Sequence, residues 1–296
     1  MKYALLFSIA LALACGGTTD RPAPVAGVPA PLVAGPGTIA APDGVAIAYT
    51  VSGTGAPALV FIHGWMCDQS FWSAQVAEFS QTNTVITIDL PGHGLSGMGR
   101  DGWPMMAYGA DVQAVVEHFG LDNVVVIGHS MGGPIALEAA RLMPDRVIGV
   151  VAVDALHDAE AKVDPEKAKV FIAAFEHDFV GACRRFSASM FPEGADPELV
   201  ERVTNGMCNG SPEVGVALTR QFFDYETGPA LAAVEVPVRC INSGMWPTNL
   251  GGNRKYQPNF DYVAMEGAGH FLMMEKPEAF NALLKQTIAT LDKPVE

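Results

Sequence analysis

The run Val124-Val125-Val126-Ile127-Gly128-His129-Ser130-Met131-Gly132-Gly133 places a serine where an apolar stretch gives way to a helical pattern. Small residues two before and two after Ser130 allow a very tight strand-to-helix turn that projects the hydroxyl outward. The N–H groups opening the following helix can stabilise negative charge. A hydroxyl presented in this way suits nucleophilic attack on a carbonyl, given a base to take its proton. A bare Gly-x-Ser-x-Gly occurs by chance in many proteins, and the strand before it and helix after it set this one apart. Late in the chain His270 follows Glu266-Gly267-Ala268-Gly269, just past the apolar run Tyr262–Met265. A histidine in such a loop could be the base that takes the serine's proton. His118, His129, His157 and His177 are weaker candidates, lying on a helix, inside the turn, or between residues 156 and 230.

These residues need a scaffold, and the hydrophobic pattern supplies one. Apolar runs at Val45–Val51, Ala58–Ile62, Val85–Leu90, Val124–Ile127, Val147–Val153, Val238–Ile241 and Tyr262–Met265 read as strands. Most are continuous, as in central parallel strands covered on both faces. Helical patterns at Gln69–Phe79, Met106–Phe119, Met131–Leu142 and Ala279–Leu291 lie among them. Alternating strand and helix point to an α/β sheet. The alternation breaks between Leu156 and Leu231, where Val170–Phe179 and Pro212–Phe223 read as helices. Residues 156–230 are therefore expected to form an inserted helical cap between core segments 38–155 and 231–296.

The chain has 296 residues, 49% hydrophobic content and a formal net charge of −14. That is enough for one substantial core plus an insertion. The acidic balance argues against nucleic-acid binding, which needs a cationic footprint. Lys2, the apolar run from Tyr3 to Ala14 and then Cys15-Gly16-Gly17 read as a signal peptide over residues 1–15. Ala12-Leu13-Ala14-Cys15 resembles a bacterial lipoprotein cleavage site, which implies an exported, periplasmic protein tethered to the membrane by a lipidated Cys15. Ordinary cleavage, leaving a soluble periplasmic or secreted protein, is the alternative. Residues 16–37, rich in Gly, Pro, Ala and Thr, read as a flexible linker. Of five cysteines, Cys67, Cys183, Cys208 and Cys240 remain after Cys15. Four allow three complete pairings, and Cys183–Cys208, flanking one polar segment, is the favoured disulfide. Cys240, in an apolar strand pattern, reads as a buried thiol.

The Ser130 segment, with the late His270, resembles the α/β-hydrolase fold superfamily, in its capped branch of small esterases, lactonases and cofactor-free perhydrolases. The resemblance covers residues 38 to 291. It implies a mainly parallel eight-stranded sheet flanked by helices, a nucleophile after the fifth strand and a cap after the sixth. His63-Gly64-Trp65 resembles the oxyanion-loop motif, so the N–H groups of Trp65 and Met131 are expected to form the oxyanion hole. Asp89-Leu90-Pro91-Gly92-His93-Gly94-Leu95-Ser96 resembles a second segment, in which His93 and Asp89 are structural. The chain departs from the family in its acid. The usual loop after the seventh strand reads Asn242-Ser243-Gly244-Met245-Trp246-Pro247-Thr248, with no carboxylate. Some members carry the acid at the end of the sixth strand instead, and Asp154 ends that run here. Asp154 is the expected acid, with Asp158 in reserve.

The implied reaction is acyl transfer on a small or medium carboxylic ester, through an acyl-enzyme. The fold needs no metal and no organic cofactor. Lactone hydrolysis, carbon–carbon bond hydrolysis and perhydrolysis use the same residues and stay open. A degenerate hydrolase kept as a binding protein is the non-enzymatic alternative.

Overall fold

A computed structural model describes Ala30 and residues 32–292. The expected signal peptide, Cys15 and most of the linker lie outside the described residues. The chain runs through β1 (Gly35–Ala40), β2 (Ala46–Ser52), β3 (Ala58–Ile62), α1 (Ser73–Phe79), β4 (Val85–Asp89), α2 (Met105–His118), β5 (Val124–His129) and α3 (Gly132–Leu142). After β6 (Val147–Val153) come five helices: α4 (Pro165–His177), α5 (Phe179–Ser189), α6 (Pro197–Cys208), α7 (Pro212–Asp224) and α8 (Thr227–Ala232). The core then resumes with β7 (Val238–Ser243), α9 (Leu250–Tyr256), β8 (Phe260–Met265), α10 (Leu272–Glu275) and α11 (Pro277–Ile288).

The eight strands form one sheet in the order β1-β2-β4-β3-β5-β6-β7-β8. Strands β3 to β8 pair in parallel, and the β1–β2 and β2–β4 pairs are antiparallel. Strands β3 to β7 are buried on both faces, which is why their sequences are almost continuous apolar runs. On β3, Val60 and Ile62 pack with Val112 and Ile135 on one face, while Leu59 and Phe61 pack with Trp72 and Phe280 on the other.

Several boundaries differ from expectation by a few residues, and the expected helix Val170–Phe179 is split between α4 and α5 at Asp178. The first strand starts at Gly35, inside the segment expected as linker. Its sequence, Gly-Pro-Gly-Thr-Ile-Ala, gives little strand signal, and it is an edge strand held through a six-residue antiparallel register with β2. The expected helix over Met131–Leu142 starts at Gly132, with Met131 as its N-cap.

The insertion is stapled. Cys183 on α5 and Cys208 on α6 form a disulfide with Cα atoms 5.6 Å apart. Cys67 and Cys240 are free and buried. Among the described residues no helix is long and apolar enough to cross a membrane.

Candidate active site

Ser130 sits on the elbow between β5 and α3 with φ of 52°. That is the left-handed region, which costs a non-glycine residue about 1–3 kcal/mol and persists only where the surroundings force it. Three glycines do the forcing. A Cβ on Gly128 would collide with the carbonyl oxygen of Gly132, and one on Gly132 would lie 2.6 Å from the Ile62 oxygen. A Cβ on Gly64 would stand 3.2 Å from that of Ser130, so the loop after β3 lies directly against the elbow. The Ser130 N–H donates to Val153 O at 2.9 Å, fixing the turn to β6. The Ser130 hydroxyl has no hydrogen-bond partner among the described residues. Nucleophile–base bonds commonly tighten only when substrate is bound.

His270 lies in the loop after β8. Its Nδ1–H donates to Asp154 Oδ2 at 2.6 Å. Asp154 follows the end of β6, also in the left-handed region at φ 45°. Its other oxygen accepts the Ser243 N–H at 2.6 Å, and His157 Nε2 stands 3.6 Å away. Burial alone would raise the Asp154 carboxyl. The hydrogen bond and charge of His270, with the Ser243 N–H, outweigh it and hold the group below the ordinary carboxylate value.

The loop carrying His270 is held from three sides. Glu275 accepts the Gly269 N–H on Oε2 at 2.8 Å and the Phe271 N–H on Oε1 at 3.1 Å, so one carboxylate spans the histidine. The His270 N–H donates to Met190 O, at the end of α5, at 2.9 Å. From the elbow, His129 Nε2–H donates to the His270 carbonyl at 2.9 Å. Burial, then the nearby His270, push His129 down to about 3, so it stays neutral and serves as a tie. Neither this tie nor the Glu275 clamp was read from the sequence. The one trace of the clamp in the sequence is a carboxylate, Glu275, five positions after His270.

The neighbouring loops are braced as their motifs imply. His63 Nδ1–H donates to Gly64 O at 2.8 Å, and Nε2 accepts the Leu90 N–H at 3.0 Å. Burial lowers His63 to about 4. Asp89 accepts from Gln69 N at 2.8 Å, Gln69 Nε2 at 3.0 Å and Leu95 N at 2.9 Å. His93 is buried and lies against His63. The Trp65 and Met131 N–H groups, the two expected oxyanion donors, have no hydrogen-bond partner among the described residues. The Trp65 indole spans to the cap: its Nε1–H donates to Gly215 O on α7 at 3.0 Å, and its ring packs edge-on to Phe175 and Phe186.

Asp158, the reserve acid, is placed elsewhere. Its Oδ1 accepts from Glu160 N at 2.9 Å and Asn249 Nδ2 at 3.0 Å. In the loop after β7, Asn242 donates to Thr248 Oγ1 at 2.8 Å and accepts from Ala155 N at 3.2 Å. Among the described residues no group of three or more His, Cys, Asp or Glu is placed to hold a metal ion.

Residues 59–283 match the family described as "Alpha/beta hydrolase family". Over 262 residues the chain is 28% identical to the dihydrolipoyllysine-residue acetyltransferase component of the acetoin cleaving system of Cupriavidus necator, covering 82% of this chain and 67% of that one. It is 26% identical over 252 residues to 3-oxoadipate enol-lactonase 2 of Acinetobacter baylyi, covering 82% of this chain and 93% of that one. The solved structure of an N-acyl homoserine lactone degrading enzyme superposes with a TM-score of 0.72 at 27% identity, covering 82% and 97% of the two chains.

Proposed function

The chain belongs to the alpha/beta hydrolase family, and from that premise we propose that it is an exported serine hydrolase acting on small or medium carboxylic esters. The observation that carries this reading is the 2.6 Å bond from His270 Nδ1 to a buried Asp154, in a loop whose His270 carbonyl is tied at 2.9 Å to His129, the residue before Ser130 on its strained elbow.

In the proposed reaction Ser130 Oγ attacks the ester carbonyl while His270 Nε2 takes its proton. Asp154 keeps Nδ1 protonated, so Nε2 is the basic nitrogen, and its charge stabilises the imidazolium. The N–H groups of Trp65 and Met131 receive the developing oxyanion. His270 then protonates the departing alcohol. Water, deprotonated by His270, releases the acid from the acyl-enzyme. The phenylalanines that pack on Trp65 suit an apolar acyl group.

Two features favour particular extensions. Relatives named for lactone substrates cover most of this chain, so lactone hydrolysis is the second reading. The Cys183–Cys208 disulfide suits an oxidising compartment, which supports export and, with Cys15, a lipid tether.

A panel of p-nitrophenyl esters of rising acyl length, with lactones beside them, tests the reading. Wild type should turn over esters, and Ser130→Ala should lose at least about 10³-fold in kcat. Turnover by Ser130→Ala equal to wild type contradicts it.

A further inference from the structure

Three aromatic rings pack on the His270 imidazole: His129, Phe271 and Trp246. His129 and Phe271 are sealed in the core, at 1% and 0% exposure, while Trp246 is 38% exposed. Its ring meets the imidazole edge-to-face at 5.7 Å between centroids and an interplanar angle of 81°. Trp246 is thus the ring on the open side of the histidine. Its loop is tied at both ends. The Ser243 N–H donates to Asp154 Oδ1 at 2.6 Å, Asn242 Nδ2 donates to Thr248 Oγ1 at 2.8 Å, and the Asn249 N–H donates to His157 O at 2.7 Å. A large apolar ring is therefore held toward solvent on a fixed backbone, where the family's usual carboxylate is missing.

We propose that Trp246 forms the leaving-group subsite of this enzyme, and that the subsite takes an aromatic alcohol, so that aryl esters are the preferred substrates. The inference rests on the serine-hydrolase reading above. When the tetrahedral intermediate collapses, the bond from the acyl carbon to the aryl oxygen breaks. The proton on His270 Nε2 passes to that oxygen, and a phenol leaves along the exposed Trp246 ring. A ring stacked on Trp246 removes apolar surface from water on both partners and gains the preference of aromatic pairs. The acyl group has a separate wall, formed by Trp65 with the cap phenylalanines.

Phenyl acetate and ethyl acetate give the same acetyl-enzyme, so any difference between them arises before the alcohol departs. Trp246→Ala should lower kcat/KM for phenyl acetate about tenfold and for ethyl acetate by less than about twofold. Trp246→Phe, which keeps a ring, should hold phenyl acetate within about threefold. Equal losses on the two esters would show that Trp246 only supports His270, and no loss on phenyl acetate would show that it touches no substrate. Either result overturns the subsite. Labelling of the same proteins with a fluorophosphonate separates this failure from that of the parent reading: folded wild type that takes no label overturns both.

Discussion

The Asp154 carboxylate accepts a hydrogen bond from the His270 Nδ1–H at 2.6 Å across 116 positions of sequence. The contact is made from the end of the sixth strand, one strand away from the family's usual acid position. Parallel pairing of β6 with β7 and of β7 with β8 brings the carboxyl ends of three consecutive strands together. The left-handed turn at Asp154 then directs the carboxylate across β7 toward the loop after β8. Its second oxygen is fixed by the Ser243 N–H at 2.6 Å, at the point where β7 ends.

Replacing Asp154 with Asn should keep the shape and lose the charge that supports the imidazolium. The expected fall in kcat is about 10²–10⁴-fold, measured on a p-nitrophenyl ester. Asp158→Asn, whose side chain pairs with Asn249, should stay within about threefold of wild type. The reverse ranking would move the acid to Asp158.

Glu275 should matter although it stands outside the proposed proton path. Glu275→Ala leaves the Gly269 and Phe271 N–H groups without acceptors beside His270. Leaving these part-buried N–H groups without acceptors costs about 1 kcal/mol, which urea unfolding would read directly. The accompanying drop in kcat should exceed any change in KM, because the base is displaced while the pocket is kept. An unchanged kcat in a destabilised variant would make the clamp purely structural.

Stability should fall as the medium is acidified below about pH 6.5. Burial holds His63 near 4, His93 near 3 and His129 near 3, against an ordinary value of 6.5. Between 6.5 and 4 the unfolded chain therefore binds protons that the folded chain refuses. Each such histidine removes up to about 1.4 kcal/mol per pH unit across that window. Asp111 and Glu275, both raised by burial, act in the opposite direction but in the carboxylate range. Urea unfolding at a series of pH values should show this slope, and His93→Gln should flatten it by one proton. A wild-type stability independent of pH over the window would contradict the assignment of three neutral buried histidines.

The disulfide closes a separation of 25 residues within the cap. Chain-entropy reasoning gives it roughly 3 kcal/mol. A Cys183→Ser, Cys208→Ser double variant should unfold earlier in urea, and wild type in reductant should match it. Because Met190 O, which holds the His270 N–H, follows the same helix as Cys183, the variant should also lose activity at a lower temperature than wild type. Equal stability with and without reductant would mean that the bond does not form in solution.

Much of this arrangement was legible in the sequence because its physical causes are local. The elbow needs small residues at fixed offsets around Ser130, and buried parallel strands must be continuously apolar. The position of His270 follows from strand order. Asp154 is the expected acid because no carboxylate stands between Asn242 and Thr248 and because it ends the sixth-strand run, where some members of the family carry the acid. The first strand escaped because an edge strand of Gly, Pro and Thr is made by its partner's ladder rather than by its own pattern. The Glu275 clamp and the His129 tie escaped for a related reason. Both join side chains to backbone groups of the His270 loop, and backbone groups carry no sequence signal.

The central claim is that Ser130 is an activated nucleophile, and covalent labelling tests it most directly. Wild-type protein treated with a fluorophosphonate should gain one adduct, mapped by mass spectrometry to the peptide containing Ser130. Ser130→Ala should gain none, and His270→Ala should label far more slowly. Folded wild-type protein that takes no label, or an adduct that persists in Ser130→Ala, would contradict the account and favour a hydrolase fold retained for binding alone.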